Sequence, residues 1–432
     1  MGIAIGHESR AIRRRTICVV ALLAILSACS RAPTADPSDA GIDAVVDHYM
    51  AARGIVGMGV GIIVNGEVAY LAGYGLADRD ANVPVDPRET RFRWASISKT
   101  LTAVAALTLA EVDALDLDAQ VADVYPAYVA PPGARTPLGA VVAIPPGWGI
   151  TPRNLLDHRS GVRHYSNGSP DIDITPPGSE RNQPAINTGF EWALSRWAIE
   201  PLLFLPNTGF AYSTPAFNLL GAVVGAAQNA RSGLTQSVEQ GYLDRVRGLL
   251  EGTPAQGVRP DYQWIDIPNR SKGYVADPVT LAVSNDGDSD VSWKLPSGGF
   301  ISTTRELAEY CRLLTGTTLL GADIAADVFS LGPLGTPRSR LGFFIDSRND
   351  RVRVSHGGEQ QKVRSHLAFY PAERLGFVVF SNTKTGQDDE PFWVQWINGP
   401  NPPAIFTPEL VDQLEDVVRA RLTAGEPAIQ AS

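Results

Sequence analysis

The stretch Trp94-Ala95-Ser96-Ile97-Ser98-Lys99-Thr100 opens a run from Leu101 to Leu115 that is mainly apolar and rich in Ala and Leu. Such a run reads as a buried helix beginning near Ser96, with the rest of the chain organised around it. Residues three apart share a helix face. The Ser96 hydroxyl and the Lys99 amine therefore stand side by side, with backbone N–H groups and the positive dipole end close to the serine. That arrangement turns an unactivated hydroxyl into a nucleophile. The chain has only five lysines (Lys99, Lys272, Lys294, Lys362, Lys384), so a Ser-x-x-Lys at the mouth of a buried helix is less readily an accident. The same residues also suit an ordinary N-cap serine followed by a solvated lysine.

The N-terminus carries its own signal. Arg10, Arg13, Arg14 and Arg15 precede an apolar segment from Ile17 to Leu26, which ends in Leu26-Ser27-Ala28-Cys29-Ser30. This is the pattern of a secretory signal peptide over residues 1–28, and the segment falls short of the ~20 apolar residues a permanent span needs. Leu-Ser-Ala-Cys resembles a bacterial lipobox, which implies lipidation at Cys29; plain cleavage with an unmodified Cys29 is the other reading. Cys18 leaves with the signal, so Cys311 alone remains and a disulfide-stapled scaffold is excluded. Cys311 lies in a helical apolar pattern and reads as a packed core residue. Removing residues 1–28 deletes four Arg and one Glu, taking the charge from 37 − 46 = −9 to 33 − 45 = −12. An acidic chain argues against nucleic acid as a partner.

Residues 29–41 read as a flexible, lipidated tether. A helix follows over Ile42–Ala52. Gly57–Val64 and Glu67–Tyr74 then flank Asn65-Gly66, the strongest short hairpin signal available. Strand patterns return over Leu341–Ile345, Arg351–Ser355, Ser365–Tyr370 and Leu375–Ser381. The architecture predicted is α+β: an antiparallel sheet assembled from residues 42–95 and 296–383, flanked by helices, with a mainly helical insertion over 96–295. Residues 384–432 form a C-terminal extension, Trp- and Pro-rich over Pro391–Pro403, with an amphipathic closing helix over Pro408–Leu422.

Further stretches line up in order. Ile150-Thr151-Pro152-Arg153-Asn154-Leu155-Leu156-Asp157-His158-Arg159-Ser160-Gly161 is followed by Phe210-Ala211-Tyr212-Ser213 and Asn218-Leu219-Leu220-Gly221. Later come Lys272-Gly273-Tyr274, Ser297-Gly298-Gly299-Phe300-Ile301-Ser302-Thr303 and Val354-Ser355-His356-Gly357-Gly358. Over roughly residues 42–383 the series resembles the serine β-lactamase and penicillin-binding family, in its class C branch with D-Ala-D-Ala carboxypeptidases and esterases. The resemblance implies a β-lactamase/transpeptidase-like fold with its site at the junction of sheet and helical region. It makes Ser96 the acylated serine, Lys99 its partner in proton transfer, Tyr212 the tyrosine of the second motif, and His356-Gly357-Gly358 the third motif. A lysine with a reference pKa of about 10.4, or a tyrosine of about 10, is a poor base at neutral pH until its surroundings shift it, so a Lys/Tyr pair relays the serine proton. The backbone N–H groups of Ser96 and Glu359 would form the oxyanion hole, where losing one donor costs roughly 10²–10³ in rate. Gly357 and Gly358 leave an edge strand without bulk beside the substrate.

Two matches compete with these. Tyr165-Ser166-Asn167 fits the second motif and Lys384-Thr385-Gly386 the third, but the first follows a variable turn and the second follows the last strand, where a solvated turn is expected. His158 and His164 lack metal-ligand spacing and read as packing residues. No metal and no cofactor is implied. Two departures bear on substrate binding: Thr214 stands where the family has asparagine, and Glu359 puts a carboxylate where a substrate carboxylate would arrive unless Arg353, Lys362 or Arg364 lies nearer. His356 in place of lysine supplies little fixed charge. The reading is a lipid-anchored serine hydrolase on the periplasmic side of a bacterial cell envelope, acting through an acyl-enzyme on an ester, amide or β-lactam of a small molecule or peptide. A D-Ala-D-Ala carboxypeptidase and a non-catalytic cell-wall-binding relative remain as alternatives.

Overall fold

The computed structural model of the chain describes residues 39–164, 189–197, 200–287, 290–332, 338–385 and 409–429. Cys29, the Tyr165-Ser166-Asn167 stretch and the segment Pro391–Pro403 lie outside them. The first helix runs over Ala40–Arg53 and is capped by Asp39, whose carboxylate accepts from the N–H groups of Gly41 and Ile42. The tether read over residues 29–41 therefore gives way to the fold at Asp39, because a buried cap belongs to the helix it starts.

An eight-stranded antiparallel sheet forms the centre, in the spatial order Arg338–Arg340, Phe343–Arg348, Arg351–Gln360, Val363–Tyr370, Leu375–Ser381, Gly57–Val64, Glu67–Asp78, Val83–Pro84. The hairpin at Asn65-Gly66 has positive φ at both residues, 54° and 79°, as a type I′ turn requires. Met58 lies opposite Ser381 and Ile62 opposite Phe377, so the N-terminal hairpin zips directly onto the last long strand of the C-terminal set. This is the sheet built from both ends of the chain that the sequence predicts.

Both faces of the sheet are covered. On one, Ile42, Val46 and Met50 of the first helix meet Leu410, Val411, Leu414 and Val418 of the last, Glu409–Ala424, over Val60, Ile62 and Phe377. The closing helix is thus part of this layer and not an extension beyond the domain. On the other face, Thr304–Leu314 packs on the sheet, with Cys311 fully buried, and leads into the helical region. There the Ser98–Ala110 helix is buried along its length and lies against Thr214–Ser232. It ends at Ala110, short of Leu115, because Glu111, Val112 and Asp113 form an exposed turn with Asp113 at φ 55°.

The region 96–295 is not purely helical. Arg259–Pro260 joins Arg91–Arg93 and Phe300–Thr303 in one small sheet, and Tyr274–Ala276 pairs with Val283–Asn285 and, in parallel, with Thr383–Thr385. Lys384 accordingly lies on a short strand and not in a solvated turn: the Thr383 and Thr385 side chains are buried, which seats the segment. Among the described residues no helix is long and apolar enough to cross a membrane.

Candidate active site

Ser96 is positioned by the small sheet beneath it. Arg91–Arg93 pairs with Phe300–Thr303, and Trp94 continues the ladder by donating its N–H to the Phe300 carbonyl at 2.8 Å. The Trp94 indole donates to Ser302 Oγ at 2.7 Å, and its carbonyl accepts from Ser365 Oγ at 2.8 Å. The chain then breaks sharply at Ala95, φ 47°, a left-handed conformation that costs a residue with a Cβ on the order of 1–2 kcal/mol. Ser96 sits on the 3₁₀ turn Ala95–Ile97, one turn before the α-helix proper starts at Ser98. It is 8% exposed, at the floor of the site.

Lys99 is fully buried, its Nζ 2.9 Å from Ser96 Oγ and donating to the Ser297 carbonyl at 2.8 Å. No carboxylate pairs with it among the described residues. Burial pushes its pKa well below that of a free lysine, and the nearby Lys294 ammonium pushes in the same direction. The amine is thereby poised to take a proton. The Tyr212 ring lies with its centroid 5.0 Å from Lys99 Nζ. Two histidines hold the segment carrying it: His158 Nδ1 accepts from the Ser213 N–H at 3.1 Å and His164 Nδ1 from the Thr214 N–H at 3.4 Å. Their rings lie 4.5 and 5.7 Å from that of Tyr212. Ser213 then caps the Thr214–Ser232 helix through its Oγ, with Pro215 in the first turn.

His356 closes the other side, its ring 6.4 Å from Tyr212 and 5.0 Å from Phe344. Its Nδ1 is 2.7 Å from the Gly357 carbonyl, while its buried Nε2 has no hydrogen-bond partner among the described residues. Burial, reinforced by Lys99, pushes the pKa of His356 down to about 3, and that of His164 likewise to about 3. The site is therefore lined by neutral imidazoles.

The strand carrying His356-Gly357-Gly358 is interior and not an edge: it lies between Phe343–Arg348 and Val363–Tyr370. Its pairing with the former ends at Ser355, however, so residues 356–360 are bonded on one side only. Gly358 is required by the protein's own turn: a Cβ there would lie 2.4 Å from the Trp94 carbonyl and 3.1 Å from Ala95 Cβ. Gly357 has more room, with His366 Nδ1 nearest at 3.3 Å. Glu359 is held by Lys384 at 3.5 Å and Arg364 at 3.8 Å. Of the three cations considered for Glu359, only Arg364 reaches it; Arg353 is engaged by Asp346 and Asp412, and Lys362 has no ion pair with Glu359. Thr214 is buried and is the first residue of its helix.

The structure thus gathers Ser96, Lys99, Tyr212 and His356 in one buried cluster, with Gly358 against the serine turn. Sequence reasoning assigned no role to Ser297 or Asn218. Ser297 holds Lys99 through its carbonyl, and its Oγ donates to Asn218 Oδ1 at 2.6 Å, while Asn218 Nδ2 donates to the Trp293 carbonyl at 2.9 Å. Both stand inside motif stretches, which was the available signal. Among the described residues no group of three or more His, Cys, Asp or Glu could hold a metal ion.

The profile of the beta-lactamase family matches residues 42–396. Esterase EstB of Burkholderia gladioli is 33% identical over 268 residues, which cover 59% of this chain and 64% of EstB. The serine beta-lactamase-like protein LACTB, mitochondrial, of Homo sapiens is 27% identical over 310 residues, covering 60% of this chain and 53% of LACTB. The chain thus spans 53–64% of the length of these curated relatives. Among solved structures, the D-amino acid amidase of Ochrobactrum anthropi SV3 in complex with L-phenylalanine amide superposes with a TM-score of 0.64 at 19% identity, over 88% of this chain and 98% of the amidase. That likeness establishes the fold.

Proposed function

The chain belongs to the beta-lactamase family, and from that premise we propose that it is a serine hydrolase that cleaves an ester, amide or β-lactam through an acyl-enzyme on Ser96. The observation that carries the reading is a fully buried lysine, unpaired with any carboxylate among the described residues, 2.9 Å from a serine at the floor of the site. In the first step Ser96 Oγ bonds to the carbonyl carbon of the substrate while its proton passes to the Lys99 lone pair. The carbonyl π electrons move onto oxygen, where the N–H groups of Ser96 and Glu359 would stabilise the charge. Collapse of this adduct expels the leaving group, which takes the proton from Lys99 by way of Tyr212. Water then repeats the sequence on the acyl-enzyme and frees the acid.

The test is a fluorophosphonate probe followed by mass mapping of the adduct. Labelling of Ser96 supports the proposal; labelling elsewhere, or none in folded protein, removes it. The sequence pattern of residues 10–30 further supports placement in the bacterial envelope with a lipid on Cys29. A Cys29→Ser chain that still fractionates with membranes would refute that anchor.

A further inference from the structure

Four residues before Gly298 lies Lys294, to which the acylation chemistry gives no role. Its backbone is fixed on both sides. Ser292 is tied to Asp290 through its N–H (2.9 Å) and its Oγ (3.0 Å). The Trp293 carbonyl accepts from Asn218, and the Lys294 carbonyl lies 3.1 Å from Ser297 Oγ, whose proton goes to Asn218 at the shorter distance. The side chain runs along the open face of Gly298: a Cβ placed on that glycine would lie 3.5 and 3.6 Å from Lys294 Cδ and Cε. The same point lies 3.5 Å from Gln360 Oε1. Ser297, next to Gly298, holds Lys99. A lysine side chain and an amide thus meet over the same face of Gly298, next to the residue that holds Lys99.

Neither group finds a polar partner among the described residues. Lys294 Nζ has the Trp293 ring at 5.5 Å but no carboxylate within ion-pair distance among the described residues. The neighbouring cations are already engaged, Arg93 by Asp261 at 2.6 Å and Lys384 by Glu359. Gln360 is 8% exposed, and both polar atoms of its amide lack a hydrogen-bond partner among the described residues. Buried amides are almost always bonded, and one with neither atom bonded can turn either end toward Lys294, so beside an ammonium without an ion pair it leaves room for an acceptor that both would bind. The cost of holding Lys294 there is visible in its pKa, pushed down to about 7 by burial and by Arg93 and Lys384. An anion in that space would offset the charge of Lys294 and, with the unbonded amide turned so that Nε2 replaces Oε1 at this face, accept from both groups.

Building on the hydrolase reading, we propose that Lys294, with Gln360, is a specificity-determining residue that binds a carboxylate on the substrate, so that the substrates are acidic esters or amides. The test compares kcat/KM for two matched pairs of esters. One pair places the carboxylate on the acyl chain: the mono-p-nitrophenyl ester of glutaric acid against p-nitrophenyl valerate. The other places it on the alcohol: p-carboxyphenyl valerate against phenyl valerate. Each ratio cancels any effect of Lys294 on Lys99, which both members of a pair share.

In one pair the wild type should favour the acid, and Lys294→Met should lower that ratio by roughly tenfold or more, the size of a lost hydrogen bond to a charged group. Lys294→Arg, which keeps the charge, should restore most of it. A ratio unchanged by Lys294→Met in both pairs, or a wild-type preference for the neutral ester in both, overturns the proposal. If the wild type turns over no ester and takes no adduct on Ser96, the hydrolase reading fails instead. Lys294 is then read separately, by calorimetric titration of glutarate into folded Ser96→Ala protein with and without Lys294→Met. Binding lost with Lys294 upholds the anion site; no binding, or equal binding in both, ends it.

Discussion

A buried amine that must be neutral to work is a stability defect tolerated for function, and Lys99 makes this measurable. In the unfolded chain its pKa is about 10.4, whereas burial holds the folded value well below. Between those values the unfolded state binds more protons, so stability falls as pH is lowered through that window. Lys99→Met removes this slope: its stability relative to wild type should improve steadily from about pH 10 down to 7, while the acylation rate drops by roughly 10²–10⁴. Thermal melts across that range check the first outcome and adduct formation the second. The glycines give another contrast. Gly358→Ala drives a Cβ into the Trp94 carbonyl and should cost roughly 1–3 kcal/mol along with most activity. Gly357→Ala, with 3.3 Å to His366, should fold normally; urea unfolding of the pair decides. The Ser-x-x-Lys spacing was legible because it is a local helical relation. The partner of Glu359 was not: Lys384 is 25 positions away and arrives through a parallel strand pairing that no periodicity announces.

Among elements, the C-terminal helix shows the same division. Its amphipathic pattern marked it in the sequence to within a turn, but not its seat, which charges on distant strands determine. Arg348 reaches Glu415, Asp412 and Asp416; Arg353 reaches Asp412; Arg421 bonds Asp39, the cap of the first helix. Glu415 is fully buried, bonded by the Tyr370 hydroxyl and paired with Arg348 and Arg419. Removing a single member of such a network leaves charge uncompensated in a poorly solvated place. Glu415→Gln should therefore cost about 3–5 kcal/mol. Glu409→Gln breaks the Arg53 pair and alters an exposed bond accepted from Gln413, with the glutamate side chain 60% exposed, and should cost less than about 1 kcal/mol. Equal urea midpoints for the two variants would show that the helix is held by its apolar face alone.

At the scale of the molecule, the sheet made from both chain ends was readable because each half carries its own strand signals and turn residues. The convergence of histidines was not, since His158, His164, His356 and His366 come from three separate stretches. All four are buried. Burial is the first cause in each case; it holds His164 and His356 near pKa 3 and His158 and His366 well below the ordinary value. The sign follows directly. The unfolded histidines take up protons near pH 6.5, the folded ones refuse them, and so stability present above that pH is lost as it falls from about 6.5 toward 3. Each group can remove up to about 1.4 kcal/mol per pH unit in that window. Acid sensitivity should begin near pH 6, ahead of the carboxylate range near 4 where most domains weaken. His366 offers a clean probe, because its Nε2 is buried without a hydrogen-bond partner among the described residues and it lies on the strand opposite Gly357. His366→Leu should flatten the fall in urea midpoint between pH 7 and 5 by one proton's share. A wild-type midpoint that stays level across that interval would mean that the folded protein accepts these protons, and that the imidazoles around Lys99 are far less shielded from water than their packing implies.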